Sequence, residues 1–244
     1  VLNGAVVCFF FTAVLECFIR LEHQKSDCSM RIGTIVKEDF SVSIHFLRWE
    51  QPNILKLLLL AALVSLFVAG TAVVGFPYLV RTALGLSAEL YGAAESAMGV
   101  AAILGSLCVG LFAQKLRPHN LASIFISFGI CMFPAGIAFG LPVGPLGKYI
   151  ILLAMFCICQ FGCSIFSTYA ISIIQARTPE HLMGKVMSYV FTLSMCAQPI
   201  GQIVYGALFD LFSDRPYWVL LPSGLLVCAI GLASARFFLK FETY

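Results

Sequence analysis

Residues 160–210 read QFGCSIFSTYAISIIQARTPEHLMGKVMSYVFTLSMCAQPIGQIVYGALFD. Two long apolar runs flank a short polar segment holding Arg177, Glu180 and Lys185. That is the pattern of a membrane helix, a basic loop and a returning membrane helix. In the first run Gln160, Ser164, Thr168, Ser172 and Gln175 recur every three or four residues. At 3.6 residues per turn, such spacing gathers side chains on one side of a helix. Hydrocarbon offers these groups no partner, so the stripe faces other helices or a watery cavity. Gln160, Ser164 and Thr168 lie at mid-membrane depth and are candidates for lining a solute pathway. The same residue types also join helices by hydrogen bonds. On the returning helix, Gln198 and Gln202 read as packing groups or as partners for a carbonyl that Pro199 leaves free.

The rest of the chain has the same character. Of 244 residues, 60% are hydrophobic and 11% charged, against roughly 25% charged in a soluble domain. The fold class is an all-α integral membrane protein, with the lipid bilayer as its surroundings. The net charge of +3 is small. No basic run with interleaved aromatics points to a nucleic-acid partner. Nine of the ten cysteines sit in apolar runs, with Cys28 the exception, and no CxxC spacing marks a metal site. Cys159 and Cys163, one turn apart, read as small packing residues. The four histidines (His23, His45, His119, His181) fall at loops or interfaces. No nucleophile–base or paired-acid constellation occurs within the spans, so neither an enzyme nor a cofactor is expected.

Three segments follow in order. Residues 1–19 form an apolar helix that starts in mid-run without an initiator Met and without the charged region of a signal peptide. This is expected to be the tail of a longer span, the N-terminal part of a longer protein being missing here. Residues 20–53 are charged and form a linker. Within it Phe40, Ile44 and Leu47, with Trp49 and the stop at Pro52, fit a surface amphipathic helix; a solvated linker with one helical turn fits as well. Residues 54–244 hold six spans, at 57–80, 90–113, 121–141, 149–174, 186–209 and 217–235. Gly70, Gly75 and Pro77 predict a bent outer half in the first.

Loop charge sets the orientation. Arg20, Lys25, Arg31, Lys37, Arg48, Lys56, Lys115, Arg117, Arg177, Lys185, Arg236 and Lys240 fall on the linker's side, against Arg81, Lys148 and Arg215 on the other. By the positive-inside rule the linker and C-terminus are cytoplasmic, in a multi-pass cell-membrane protein. Tyr91, Tyr149, Tyr217 and Trp218 then occupy the outer interface.

Small residues predict close helix contacts on the second span (Gly92, Ser96, Gly99, Ser106, Gly110) and the sixth (Gly224, Cys228, Gly231, Ala235). A faint repeat links Gly110-Leu-Phe-Ala-Gln114 with Gly206-Ala-Leu-Phe-Asp210. The two spans run in opposite directions, as in two inverted three-helix repeats, a transporter design.

With these features the chain resembles one half of a major facilitator superfamily transporter. The loop from Gln175 through Pro179 to Gly184-Lys185 resembles that between the tenth and eleventh helices of drug- and siderophore-exporter branches. Pro199-x-Gly201, Gly206 and Asp210 are similar to that branch's eleventh helix. Gly110-Leu-Phe-Ala-Gln-Lys115-Leu-Arg117 resembles a degraded copy of the superfamily's Gly-x-x-x-Asp-Arg-x-Gly-Arg loop, with Gln114 in place of the acid. The resemblance implies a C-terminal six-helix half-bundle preceded by the central linker and the end of helix six. It implies that helices seven and ten line a central cavity, and that small organic or drug-like solutes are exported by alternating access with proton coupling. A non-transporting sensor or partner subunit that keeps the fold is the other class considered.

Glu95 is the carboxylate well inside a complete span, one turn from Tyr91. An intramembrane acid can carry a proton or meet a cationic solute; hydration in an outer vestibule, or pairing with Arg81, is the plainer reading. Lys115, Arg117, Arg177 and Lys185 are candidates for anchoring the cytoplasmic surface or for a gate there.

Overall fold

The computed structural model describes residues 10–12, 14–15, 49, 52–112 and 118–241, among which there is no β-strand. The chain divides into two compact units, Val1–Val42 and Ser43–Tyr244. In the first, residues 10–12 and 14–15 are helical, with Phe10, Phe11 and Leu15 exposed. Phe40, Ile44 and Leu47 of the expected linker helix, together with Gln114, Lys115 and Arg117, lie outside the described residues.

The second unit contains six helices among its described residues. Helix α1 runs over 52–83, α2 over Ala88–Phe112, α3 over Pro118–Gly140, α4 over Pro145–Arg177, α5 over Glu180–Leu211 and α6 over Tyr217–Phe241. Every expected span has its helix. Most are longer than the apolar run because backbone hydrogen bonding continues through polar ends. Five of them (all but α5) are apolar and long enough to cross a membrane. The 32-residue α5 carries Ser188, Thr192, Gln198 and Gln202, which lower its hydropathy. Its length, about 48 Å at 1.5 Å per residue, and the short connections to α4 and α6 make it run the full height of its neighbours.

Helix α1 changes winding midway. Pro52–Val64 is α-helical, whereas Ser65–Ala69, Thr71–Gly75 and Tyr78–Ala83 have the wider π-helical register. Pro77 cannot donate to the ladder, and the Thr71 hydroxyl takes the Phe67 carbonyl at 2.6 Å, competing with a backbone bond. The irregular half expected around Gly70, Gly75 and Pro77 is a change of register. The turn after α1 uses Gly85 at φ 63°, a left-handed conformation suited to glycine. Pro145, at the first position of α4 behind the extended Gly144, and Pro179, capping α5, start their helices with a preset φ.

Three pairings dominate: α3 with α6, α2 with α4, and α1 with α5. Exchanging the first three helices for the last three turns α1–α5 into α4–α2 and returns α3–α6 to itself. This is the pairing symmetry of two inverted triplets. It extends to single residues. A Cβ on Gly105 of α2 would stand 2.5 Å from the Phe161 carbonyl oxygen of α4, and one on Gly201 of α5 would strike the Leu66 carbonyl oxygen of α1. The same interval separates Gly105 from Gly201 as Gly110 from Gly206. The repeat is thus carried by helix contacts as well as by the short sequence match.

The two small-residue stripes fare differently. On α6, Gly224 packs against Gly129 and Met132 of α3, Gly231 against Ile126, and the Cys228 thiol lies 3.6 Å from the Ile126 carbonyl oxygen. On α2, Gly92, Gly99 and Gly110 have open space where a Cβ would be, so the expected contact face is a free face within this unit. The α2–α4 contact uses Ser106 from that stripe and Gly105, which lies outside it. A separate α2 face exposes Val100, Leu104, Leu107 and Leu111, the greasy ridge a lipid-facing helix needs.

The core forms two apolar layers along the bundle. One, toward the Arg177 end, centres on Leu57, Phe125, Phe128, Phe166 and Val186. The other, toward the Gly85 end, centres on Phe76, Phe156, Tyr205, Phe209 and Leu220.

A cavity between three helices

Near the Gly85 end a cavity of ≈ 400 Å³ opens between α1, α2 and α4, lined by Ala72, Val73, Tyr91, Glu95, Met98, Gly99 and Gln160. Its polar groups are held by the packing behind them. The Phe76 ring lies between Tyr91 and Phe156, at centroid distances of 6.0 and 4.9 Å. The buried Tyr149 hydroxyl donates to the Leu90 carbonyl at 2.8 Å and ties the start of α4 to α2. One helical turn on, the Tyr91 hydroxyl donates to Oε1 of Glu95 at 2.8 Å. Side chains four apart on a helix meet in this way.

Glu95 is exposed and makes this one hydrogen bond among the described residues. The pairing with Arg81 is not formed. Arg81 donates to the Leu86 carbonyl at 2.5 Å and braces the Gly85 turn instead. Gln160 is half-buried on the opposite wall, and its amide has no hydrogen-bond partner among the described residues. A primary amide brings two donors and an acceptor, here turned toward open space.

The polar stripe of α4 therefore splits. Gln160 faces the cavity. The Ser164 hydroxyl is engaged across the helix pair, 2.7 Å from the Ala102 carbonyl oxygen and 2.6 Å from the Ser106 hydroxyl. Thr168 is half-buried and is not among the cavity's lining residues. Ser172 is exposed and returns its hydroxyl to the Thr168 carbonyl at 2.9 Å, and Gln175 is exposed. Gln198 and Gln202 of α5 are half-buried with no hydrogen-bond partner among the described residues, so the expected bond to a carbonyl freed by Pro199 is not formed.

Arg177 and Lys185 flank the turn at Thr178 and Pro179, at the end of the bundle away from the cavity. The buried Thr178 hydroxyl holds this turn through the Ile174 carbonyl at 2.6 Å. Arg177 stands at the C-terminus of α4, where a cation opposes the helix dipole favourably. Tyr91 is the cavity residue that the sequence placed elsewhere, as an interfacial aromatic. Its spacing from Glu95 was the signal of the second role.

The family model for the Major Facilitator Superfamily matches residues 2–202. The chain belongs to this superfamily. No curated protein and no solved structure matches it. Superfamily members are secondary transporters, not enzymes, and the long apolar helices described above are those of a multi-pass membrane protein of that kind.

Proposed function

We propose that this superfamily member is the C-terminal half of a proton-coupled exporter of small organic or drug-like solutes. In this reading 54–244 form helices seven to twelve, 20–53 the central linker and 1–19 the end of helix six. The bundle works against an N-terminal six-helix half by alternating access. The linker and C-terminus face the cytoplasm, as the bias of Lys and Arg supports. The free small-residue face of α2 supports a second bundle closing over it, since such faces let backbones approach in lipid.

The observation that carries the reading is the unpartnered Gln160 amide facing a ≈ 400 Å³ cavity across from Glu95. An amide at this depth without a protein partner is satisfied by water or solute. Solute meets Gln160 and the apolar walls at Ala72, Val73 and Met98. Glu95, held by Tyr91, exchanges the coupling proton. Lys115, Arg117, Arg177 and Lys185 serve the cytoplasmic surface, as anchors or as contacts that close it.

The test is flux of candidate solutes in vesicles holding the complete protein, with and without a pH gradient. Gradient-driven flux that weakens in Glu95→Gln supports the reading. Absence of flux for every solute class, with the protein folded and inserted, would point to a sensor or partner subunit.

A further inference from the structure

Behind Gln160 lies a second, smaller cavity of ≈ 20 Å³, and its lining is rich in sulfur. Cys131 and Met132 reach it from α3, Met155 and Cys159 from α4, with Thr71 and Gln160 beside them. Both cysteines are buried and line this one cavity from two different helices. The helical spacing of Cys159 and Cys163 pointed along one helix; the fold brings Cys131 of another to the same cavity. A volume of this size is about that of a single water-sized probe, room for one ion.

We propose that this is a binding site for a soft monovalent cation of the Cu(I) class. Thiolate and thioether donors select such ions, whereas hard cations want oxygen ligands. No carboxylate lines the cavity. Among the described residues no three His, Cys, Asp or Glu side chains are grouped for a metal, so the site is legible only when thioethers are counted as donors.

The charge also balances. One thiol loses its proton as the ion arrives: the S–H bond breaks, the S–Cu bond forms, and the proton leaves. The second thiol and the two thioethers donate lone pairs and stay neutral. One positive charge enters and one departs, which avoids a net charge buried in a low-dielectric interior. No electron transfer is involved. Ala72 and Gln160 line both cavities, so the ion enters through the larger one. This binding stands whether or not organic solutes are carried.

The complete protein, purified in detergent with its thiols reduced and oxygen excluded, is titrated with Cu(I) against a Cu(I) chelator. The expected result is one tight ion per chain with a proton released and a sulfur-only shell in the copper X-ray absorption spectrum. Cys131→Ser and Cys159→Ser should each weaken binding by at least about tenfold, Met155→Leu severalfold, and Cys228→Ser on α6 should not. Met→Leu conserves volume, so Met132→Leu, Met155→Leu and the spectrum decide the matter if the cysteine variants fail to fold. Equal affinity in all variants, nitrogen or oxygen ligands in the spectrum, or indifference to both methionine changes would overturn the proposal.

Discussion

Gly201 of α5 rests against the carbonyl oxygen of Leu66 in α1, with no room between them for a methyl group. Its symmetry counterpart, Gly105, sits likewise on Phe161. These two contacts set how near the helices of each pair can come, and the cavity between α1, α2 and α4 depends on that spacing. Gly201→Ala should therefore destabilise the complete protein by about 1–3 kcal/mol, the cost of overpacking. Gly92→Ala points into open space and should change little. Thermal unfolding in detergent reads both, and equal midpoints would refute the close approach.

Ser164 and Gln160 are one turn apart and should part company on mutation. Ser164→Ala removes the bonds to Ala102 and Ser106, and should lower stability by about 0.6–1.7 kcal/mol while leaving apparent solute affinity alone. Gln160→Ala should leave stability alone and weaken solute affinity by up to about tenfold, the worth of one hydrogen bond. Unfolding midpoints and concentration dependence of flux, taken together, separate the two roles.

Glu95→Gln keeps the shape of the side chain and removes its ability to exchange a proton. The variant should insert and fold normally, since the residue is exposed and bonded only to Tyr91. Gradient-driven flux should fall and its dependence on pH should flatten. A pH profile identical to that of the unaltered protein would remove Glu95 from the mechanism.

The α2–α4 pairing can be read chemically. The Ser106 and Ser164 hydroxyl oxygens are 2.6 Å apart, so Ser106→Cys with Ser164→Cys should form a disulfide under mild oxidation, detected as altered migration after cleavage between the helices. Ser96→Cys with Ser164→Cys should not, because Ser96 is exposed two to three turns away on α2.

Much of this was legible from the residues alone. Six runs of apolar side chains gave six helices, and the α6 glycines made the contact their spacing foretold; Glu95 and Gln160 were singled out separately, and the fold sets both along one cavity. Other features were not. Ser164 has the same spacing and polarity as Gln160, yet it turns into α2. Gly92, Gly99 and Gly110 of α2 look like the glycines of α6, yet they face open space. Cys159 has Cys163 on its own helix and Cys131 beside it from another.

The sequence by itself determined that six long apolar helices form and roughly where along the chain each lies, though not where each ends. Desolvating a backbone amide is costly whatever its neighbours are, so that decision is made segment by segment. Only the tertiary structure decided what each polar or small side chain meets, because those partners lie far away along the chain. An amide left facing a hollow and a hydroxyl closed against a carbonyl differ by which helix stands opposite.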